Sequence, residues 1–322
     1  MAQPNNPAAA AVIVFGAMAL IALVDTFFFK IAEVAGLWQF HLIRALIALP
    51  VLWVLSRLTA VAVVPRKIGP VVARGACVSG SMILYFGSLS FLTVPQAAAG
   101  LFTAPLWVLV ISAAFLRRRI GPRRLGAICA GFVGVLLVLQ PDPSALEPGL
   151  ALPIAAGFLY GLGAIATREW CAGETALSLL AAFFFCMIFF GAGGIAALHL
   201  LDPVVPPGPD GLILRAWGEL NGATWFWILA QVVGAIVGVY GLTRAYQIAE
   251  ATYVAVFEYA FLVFAAVWAV LLFADWPTGW EVLGIALIIG SGLLIAFSPA
   301  TRGAGAASKE RGQAARRSWL EP

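Results

Sequence analysis

Charge is scarce in this chain. Of 322 residues only 11% are Asp, Glu, Lys or Arg, against 62% hydrophobic, whereas a soluble domain carries about 25% charged and about 45–50% apolar residues. That shortage excludes a water-soluble enzyme, and the net charge of +4 forms no basic patch on a polar domain, so no nucleic-acid partner is expected. Histidine is limited to two residues, and the four cysteines (Cys77, Cys129, Cys171, Cys186) form no CxxC pair. No metal site, disulfide framework or cofactor is therefore expected, and the thiols read as small core residues. The sequence has no Walker-type glycine-rich loop, no HExxH and no DxxxD pair, which argues against ATP coupling within this chain and against an intramembrane enzyme. A passive channel is a remote rival, since neither a ring of like charges nor a carbonyl-filter signature is evident.

Long apolar runs are what the chain has instead. They lie near residues 8–29, 37–56, 70–92, 96–116, 124–140, 149–168, 175–199, 224–248, 251–274 and 278–298. Each is long enough to cross a hydrocarbon core of about 30 Å as a helix. Alternation of period two is absent, so the expectation is an all-α integral membrane protein with ten transmembrane helices. The first run has no Lys or Arg before it and no small-residue cleavage site, so it is expected to stay as a span rather than leave as a signal peptide. With the N-terminus in the cytoplasm, sixteen Lys and Arg fall on the inner side, among them Arg57, Arg66, Lys67, Arg74, Arg117–Arg119, Arg123 and Arg124. Only Lys30 and Arg215 fall outside, and Arg44 lies within a span. This asymmetry predicts a multi-pass protein of the cytoplasmic membrane with both termini inside. The Pro- and Gly-rich stretch LDPVVPPGPDGLILRAWGELNGA (201–223) reads as an outer loop with a short interfacial helix around Leu212 to Leu220. The tail, 299–322, is polar and basic and reads as disordered, with weak attraction to anionic membrane lipid.

The second half echoes the first. At a shift of 155, Tyr85 falls on Tyr240, Thr103 on Glu258 and Pro122 on Pro277; at a shift of 138, Lys30 falls on Arg168. The expected repeats are 8–140 and 149–298, five helices each, and because five is odd the second enters the membrane from the opposite side. Inverted repeats are typical of secondary transporters, which bind substrate near the midplane between the halves.

The segments YFGSLSFLTVPQAAAGLFTAPLWVLVISAAF and GPRRLGAICAGFVGVLLVL, with their echo YGLTRAYQIAEATYVAVFEYAFLVFAAVWAVLLFADWP and EVLGIALIIGSGLLIAF, resemble the EamA repeat of the drug/metabolite transporter superfamily. The resemblance implies two inverted five-helix repeats, a central cavity and alternating access without ATP. It further implies a small-molecule substrate, with export of amino acids or related metabolites as the leading class and uptake of a vitamin-like or nucleoside-like compound such as riboflavin as the alternative. The acidic residue common at the inner end of the family's fourth helix is replaced here by Arg117–Arg119, although the second copy keeps Asp275 near the matching place.

Ionisable groups within a bilayer cost about 2.5–3.5 kcal/mol even on the lenient insertion scale, so each is a candidate site. Glu258 lies about seven residues into the ninth span and can exchange a proton or meet a cationic group; Thr103 is its repeat partner. Asp25 and Arg44, at matched depth on the first two spans, are expected to pair, and Arg44 can also recognise a carboxylate or phosphate. His41 reads as a polar interfacial residue, and Lys30 and Arg244 as snorkelling anchors. Tyr85, Phe102, Trp107, Tyr240, Tyr253, Phe257 and Tyr259 are candidate pathway aromatics, with Gln96 a further polar candidate. Gly157 with Gly161, and Gly234 with Gly238, lie at helical spacing and read as close-packing surfaces.

Overall fold

The computed structural model describes residues 6–92, 94–117, 120–140, 149 and 151–296. Among them there is no strand. Fourteen α-helical segments are described: α1 Pro7–Asp25, α2 Phe28–Ala32, α3 Leu37–Thr59, α4 Ile68–Ser88, α5 Val94–Leu101, α6 Ala104–Ala114, α7 Pro122–Leu139, α8 Ala151–Glu169, α9 Ala176–Leu201, α10 Gly222–Gly234, α11 Tyr240–Ile248, α12 Ala251–Phe257, α13 Ala260–Phe273 and α14 Gly279–Ala296. Nine stretches are long and apolar enough to cross a bilayer, and a shorter apolar helix, Gly279–Leu294, makes the tenth of the expected runs. The chain is an all-α integral membrane protein.

Local chemistry sets the helix ends. Asn6, Thr175 and Asn221 cap α1, α9 and α10 by accepting the amides of Ala9, Ser178 and Thr224, donors that would otherwise lack a partner. Pro7 and Pro122 stand in the first turns of α1 and α7, where a missing N–H costs nothing.

Three expected spans are interrupted. The fourth divides into α5 and α6 at Phe102–Thr103, just before Pro105, whose ring has no N–H to give the carbonyl four residues back. The ninth divides into α12 and α13 at Glu258–Tyr259. At both breaks the hydrogen bonds tighten to three-residue spacing, as in Thr103 N–H to Gly100 O at 3.1 Å and Phe261 N–H to Glu258 O at 3.0 Å. The eighth passes through a π-helical turn, Ala235–Val239, between α10 and α11. The first span ends at Asp25 rather than running to residue 29, and α2 follows after two residues.

The helix expected near Leu212–Leu220 does not form. Only a 3₁₀ turn, Gly208–Gly211, appears there, because the loop spends its polar groups on neighbours. Arg215 donates to the carbonyls of Ala32, Ala35 and Gly208, Gln39 bonds both the N–H and the carbonyl of Gly218, and Trp38 Nε1 donates to Ile213 O. Leu212 thereby enters an apolar cluster with Phe28, Phe40, Phe86 and Ile228. This cluster covers the end of the bundle where α3 and α10 begin, called here the acidic end.

The opposite, basic end is fastened by polar contacts. Arg124 pairs with Glu250 at 2.5 Å, Glu174 accepts the backbone N–H groups of Arg66 and Lys67, and Asn6 N–H donates to Ile248 O.

In the interior, α4 lies along α8 and α9, α1 lies along α11 and α13, and α3 packs on α9. The closest approach is between α7 and α14, where a Cβ on Gly134 would stand 2.7 Å from the carbonyl oxygen of Gly284, and one on Gly284 2.6 Å from that of Gly134. Lipid tails are as apolar as side chains, so such backbone proximity is a main source of helix association in a bilayer. Gly134→Val is expected to destabilise the fold by about 1–3 kcal/mol through overpacking, read as a lower apparent Tm in detergent, while valine at Gly126, which has open space around it, leaves Tm unchanged.

Candidate functional site

Between these helices lies a cavity of about 140 Å³. Its wall is mostly apolar: Met18, Ile21 and Val24 from α1, Val78 and Met82 from α4, Phe102 at the first helix break, Phe183 from α9 and Phe261 from α13. The polar groups that reach it are few, namely Asp25, Arg44, Tyr85, Tyr160, Gln231 and Glu258. A largely apolar chamber with sparse, fixed polar groups is the usual form of a small-molecule site.

Each charged group is held by neighbours. Gln231 Nε2 donates to Asp25 Oδ1 at 3.0 Å and to Val24 O at 3.1 Å, which aims the carboxylate into the cavity and satisfies a carbonyl at the end of α1. The ion pair expected between Asp25 and Arg44 is not formed: no N···O contact between them falls within 4.0 Å, although each feels the charge of the other. Gln231 has taken the place at the carboxylate that the guanidinium was expected to fill. Arg44 lies over the Phe40 ring, 4.9 Å from its centroid, and its Nη2 meets His41 Nδ1 at 3.2 Å. A guanidinium only donates, so His41 accepts at Nδ1 and carries its proton on Nε2. His41 is therefore an interior residue, fully buried, and not the interfacial one expected. Both His41 Nε2 and Arg44 Nε are buried without a hydrogen-bond partner. Unpaired buried donors are costly, and an anion at Arg44 would relieve one of them.

Glu258 stands at the second helix break, bonded by the hydroxyls of Tyr246 and Tyr160. Broken helices at the midplane are where transporters place binding groups. The repeat partner Thr103 sits at the first break and returns its hydroxyl to Gly100 O at 2.6 Å. Gly157 lies so close to this break that a Cβ would stand 2.5 Å from Thr103 Oγ1. Thr103 itself is not among the lining residues.

The aromatic candidates divide. Tyr85 and Phe102 line the cavity. Trp107 packs edge-on against Phe158, Tyr253 against Phe257, and Phe257 against Phe15. Tyr259 is fully buried among Val135, Leu262 and Ile288. Tyr240 is 37% exposed on the outer surface of the bundle. None of these five lines the cavity. The side chain of Gln96 and the basic tail lie outside the described residues. Lys30 is exposed and rests against the rings of Phe27, Phe29 and Trp227, and Arg244 is exposed beside Gln247. Three residues that reasoning from sequence passed over are Tyr160, Tyr246 and Gln231. Tyr160 and Gln231 stand among apolar neighbours, the same signal that marked Glu258, whereas Tyr246 lies in a more polar stretch with Thr243, Arg244 and Gln247. Arg74, counted from the sequence among the inner-side cations of the span 70–92, lies in α4 and is buried.

No family model matches the sequence. The chain is 29% identical over 212 residues to a riboflavin transporter of Rhizobium johnstonii, covering 66% of this chain and 64% of that protein. It thus spans a little under two thirds of that relative's length. It is 26% identical over 249 residues to a pseudopaline exporter of Pseudomonas aeruginosa, covering 76% of this chain and 81% of the relative. A protein of known crystal structure superposes with a TM-score of 0.72 at 18% identity, over 88% of this chain and 95% of the other, a likeness of fold. Both relatives are named as transporters of small molecules.

Gln231→Leu removes both bonds that hold the end of α1. It is expected to lower stability by about 1–3 kcal/mol, the cost of leaving a buried acceptor unmet. Thermal unfolding in detergent measures this, and Gln231→Glu, which replaces the donor by a second carboxylate, is expected to be worse than leucine.

Proposed function

We propose that the chain is a permease of the cytoplasmic membrane, of the EamA type within the drug/metabolite transporter superfamily, with both termini in the cytoplasm. It moves a small polar or amphipathic metabolite by alternating access. The observation that carries this reading is the cavity itself: an apolar chamber at mid-depth into which Arg44, Asp25 and Glu258 project from different helices. Support also comes from the relatives named as transporters of small metabolites. The two five-helix repeats, 8–140 and 149–298, are part of the same proposal. The pairing of α4 with α8 and of α1 with α11, and the breaks at Phe102–Thr103 and Glu258–Tyr259, are what an internal twofold would produce.

Export of an amino acid or related metabolite is the leading reading, because the cavity offers a guanidinium for a carboxylate and two carboxylates for an amine. Riboflavin uptake is the alternative, favoured by the relative in Rhizobium johnstonii and by the rings of Phe102, Phe183 and Phe261 on the wall, which suit a flat ligand. A thermal-shift series on the purified protein separates them, since a ligand bound only by the folded state raises its apparent stability. Stabilisation by amino acids that is reduced about tenfold or more in apparent affinity by Arg44→Gln, the loss of one charged hydrogen bond, supports export. Stabilisation by riboflavin that is indifferent to Arg44→Gln supports the alternative.

Glu258 is the proposed proton-exchanging group. In proteoliposomes loaded with the ligand so found, Glu258→Gln is expected to abolish the dependence of uphill flux on a pH gradient while the protein stays folded. Unchanged coupling in that variant removes the proton role.

A further inference from the structure

Arg74 does not line the cavity, and a topological role does not account for where it is. It is 4% exposed in α4, about 9 Å of helix rise from the basic end. Nε donates to Thr167 Oγ1 at 2.9 Å, Nη1 to Leu179 O at 3.2 Å and Nη2 to Thr243 Oγ1 at 3.1 Å. All three acceptors are neutral, and all three come from the last five spans, on α8, α9 and α11. No carboxylate oxygen lies within 4.0 Å of the guanidinium among the described residues. Burying such a cation costs several kcal/mol, and a tie between helices needs no charge. A charge kept inside a membrane protein generally marks a ligand or ion path.

Its position lies on such a path. Val78, one turn further along α4, lines the cavity, as does Tyr160, which lies within electrostatic reach of Arg74. Beyond Arg74 come the contacts that fasten the basic end, Arg124 to Glu250 and Glu174 to the amides of Arg66 and Lys67. Parting the two halves at that end withdraws all three acceptors at once and leaves the fork bare on the first half. Arg44, on the same half, stands at a similar depth from the acidic end, so one half carries a guanidinium on either side of the chamber.

We infer that Arg74 is an anion-binding site for a carboxylate or phosphate group of the substrate, sheathed by Thr167, Leu179 and Thr243 in this conformation and uncovered when the basic end opens. The inference rests on the carrier reading above, and the two are separable by experiment.

The reporter is native. Cys171, in the turn between α8 and α9, is fully buried and donates to Pro70 O at 3.6 Å. Burial pushes its thiol up to about 11, so it reacts slowly while the end is shut. Purified protein in lipid nanodiscs is labelled with a hydrophilic maleimide, site-resolved by mass spectrometry, in sodium aspartate or inorganic phosphate against chloride at matched ionic strength. A ligand that binds only the open state enlarges its population, so Cys171 labelling in the wild type is expected to quicken about threefold or more with aspartate or phosphate. Arg74→Gln is expected to show no such response. Thr243→Val, which keeps the guanidinium but removes one acceptor, is expected to label faster in chloride and to keep the anion response. Equal acceleration in Arg74→Gln and wild type, or none in either wild type or Thr243→Val while chloride labelling proceeds, overturns the Arg74 site alone. If Cys171 stays unlabelled in every variant and salt, the basic end does not open, and the carrier reading falls with it.

Discussion

In hydrocarbon, a polar group that the protein does not satisfy stays unsatisfied. That constraint explains the helical fold, because only helices and closed barrels satisfy the backbone internally. It also explains the treatment of four interior charges. Asp25 has Gln231, Glu258 has two tyrosines, Arg74 has two threonines and a carbonyl, and Arg44 has a histidine and the face of a phenylalanine. None of these partners carries the opposite charge. Neutral partners lower the cost of burial without cancelling the field of the ion, so Asp25, Glu258 and Arg44, which line the chamber, stay available to something that enters it.

The same constraint gives meaning to the helix breaks. A span interrupted at Phe102–Thr103 or at Glu258–Tyr259 exposes backbone groups that lipid cannot satisfy, so such breaks are tolerated only where they face protein or a cavity. Here Phe102 and Glu258 both reach the chamber, and the first break is pressed against Gly157 of α8. The breaks are thus placed where a ligand can use them and where the lipid cannot reach.

The architecture was legible in the sequence because hydropathy and helix length are local properties. All ten apolar runs correspond to helices, with ends displaced by a few residues. Glu258, Asp25 and Arg44, whose isolation in apolar spans marked them, line the cavity. Which helix face turns inward was not, since the spans are apolar all round and give no stripe to follow. For that reason Tyr85 and Phe102 reached the cavity while Trp107, Tyr253 and Tyr259 became packing, and Tyr160 and Gln231 went unnoticed. Partner choice was equally hidden. Matched depth suggested that Asp25 would meet Arg44, but Gln231, about two hundred residues away in sequence, occupies that place, a contact that only tertiary structure can supply. The loop around Arg215 misled for the same reason: its local pattern permitted a short helix, and long-range bonds to Ala32, Ala35 and Gln39 dissolved it.

The two ends of the bundle are sealed with different chemistry. At the basic end the closure is made of an ion pair and hydrogen bonds to backbone amides; at the acidic end it is an apolar cluster under the loop that holds Leu212. Ion pairs at a wet boundary weaken as salt screens them, whereas apolar closure weakens on cooling. Raising ionic strength and raising temperature therefore both favour opening at the basic end over the acidic end. Each seal answers to a different property of the solution that bathes it.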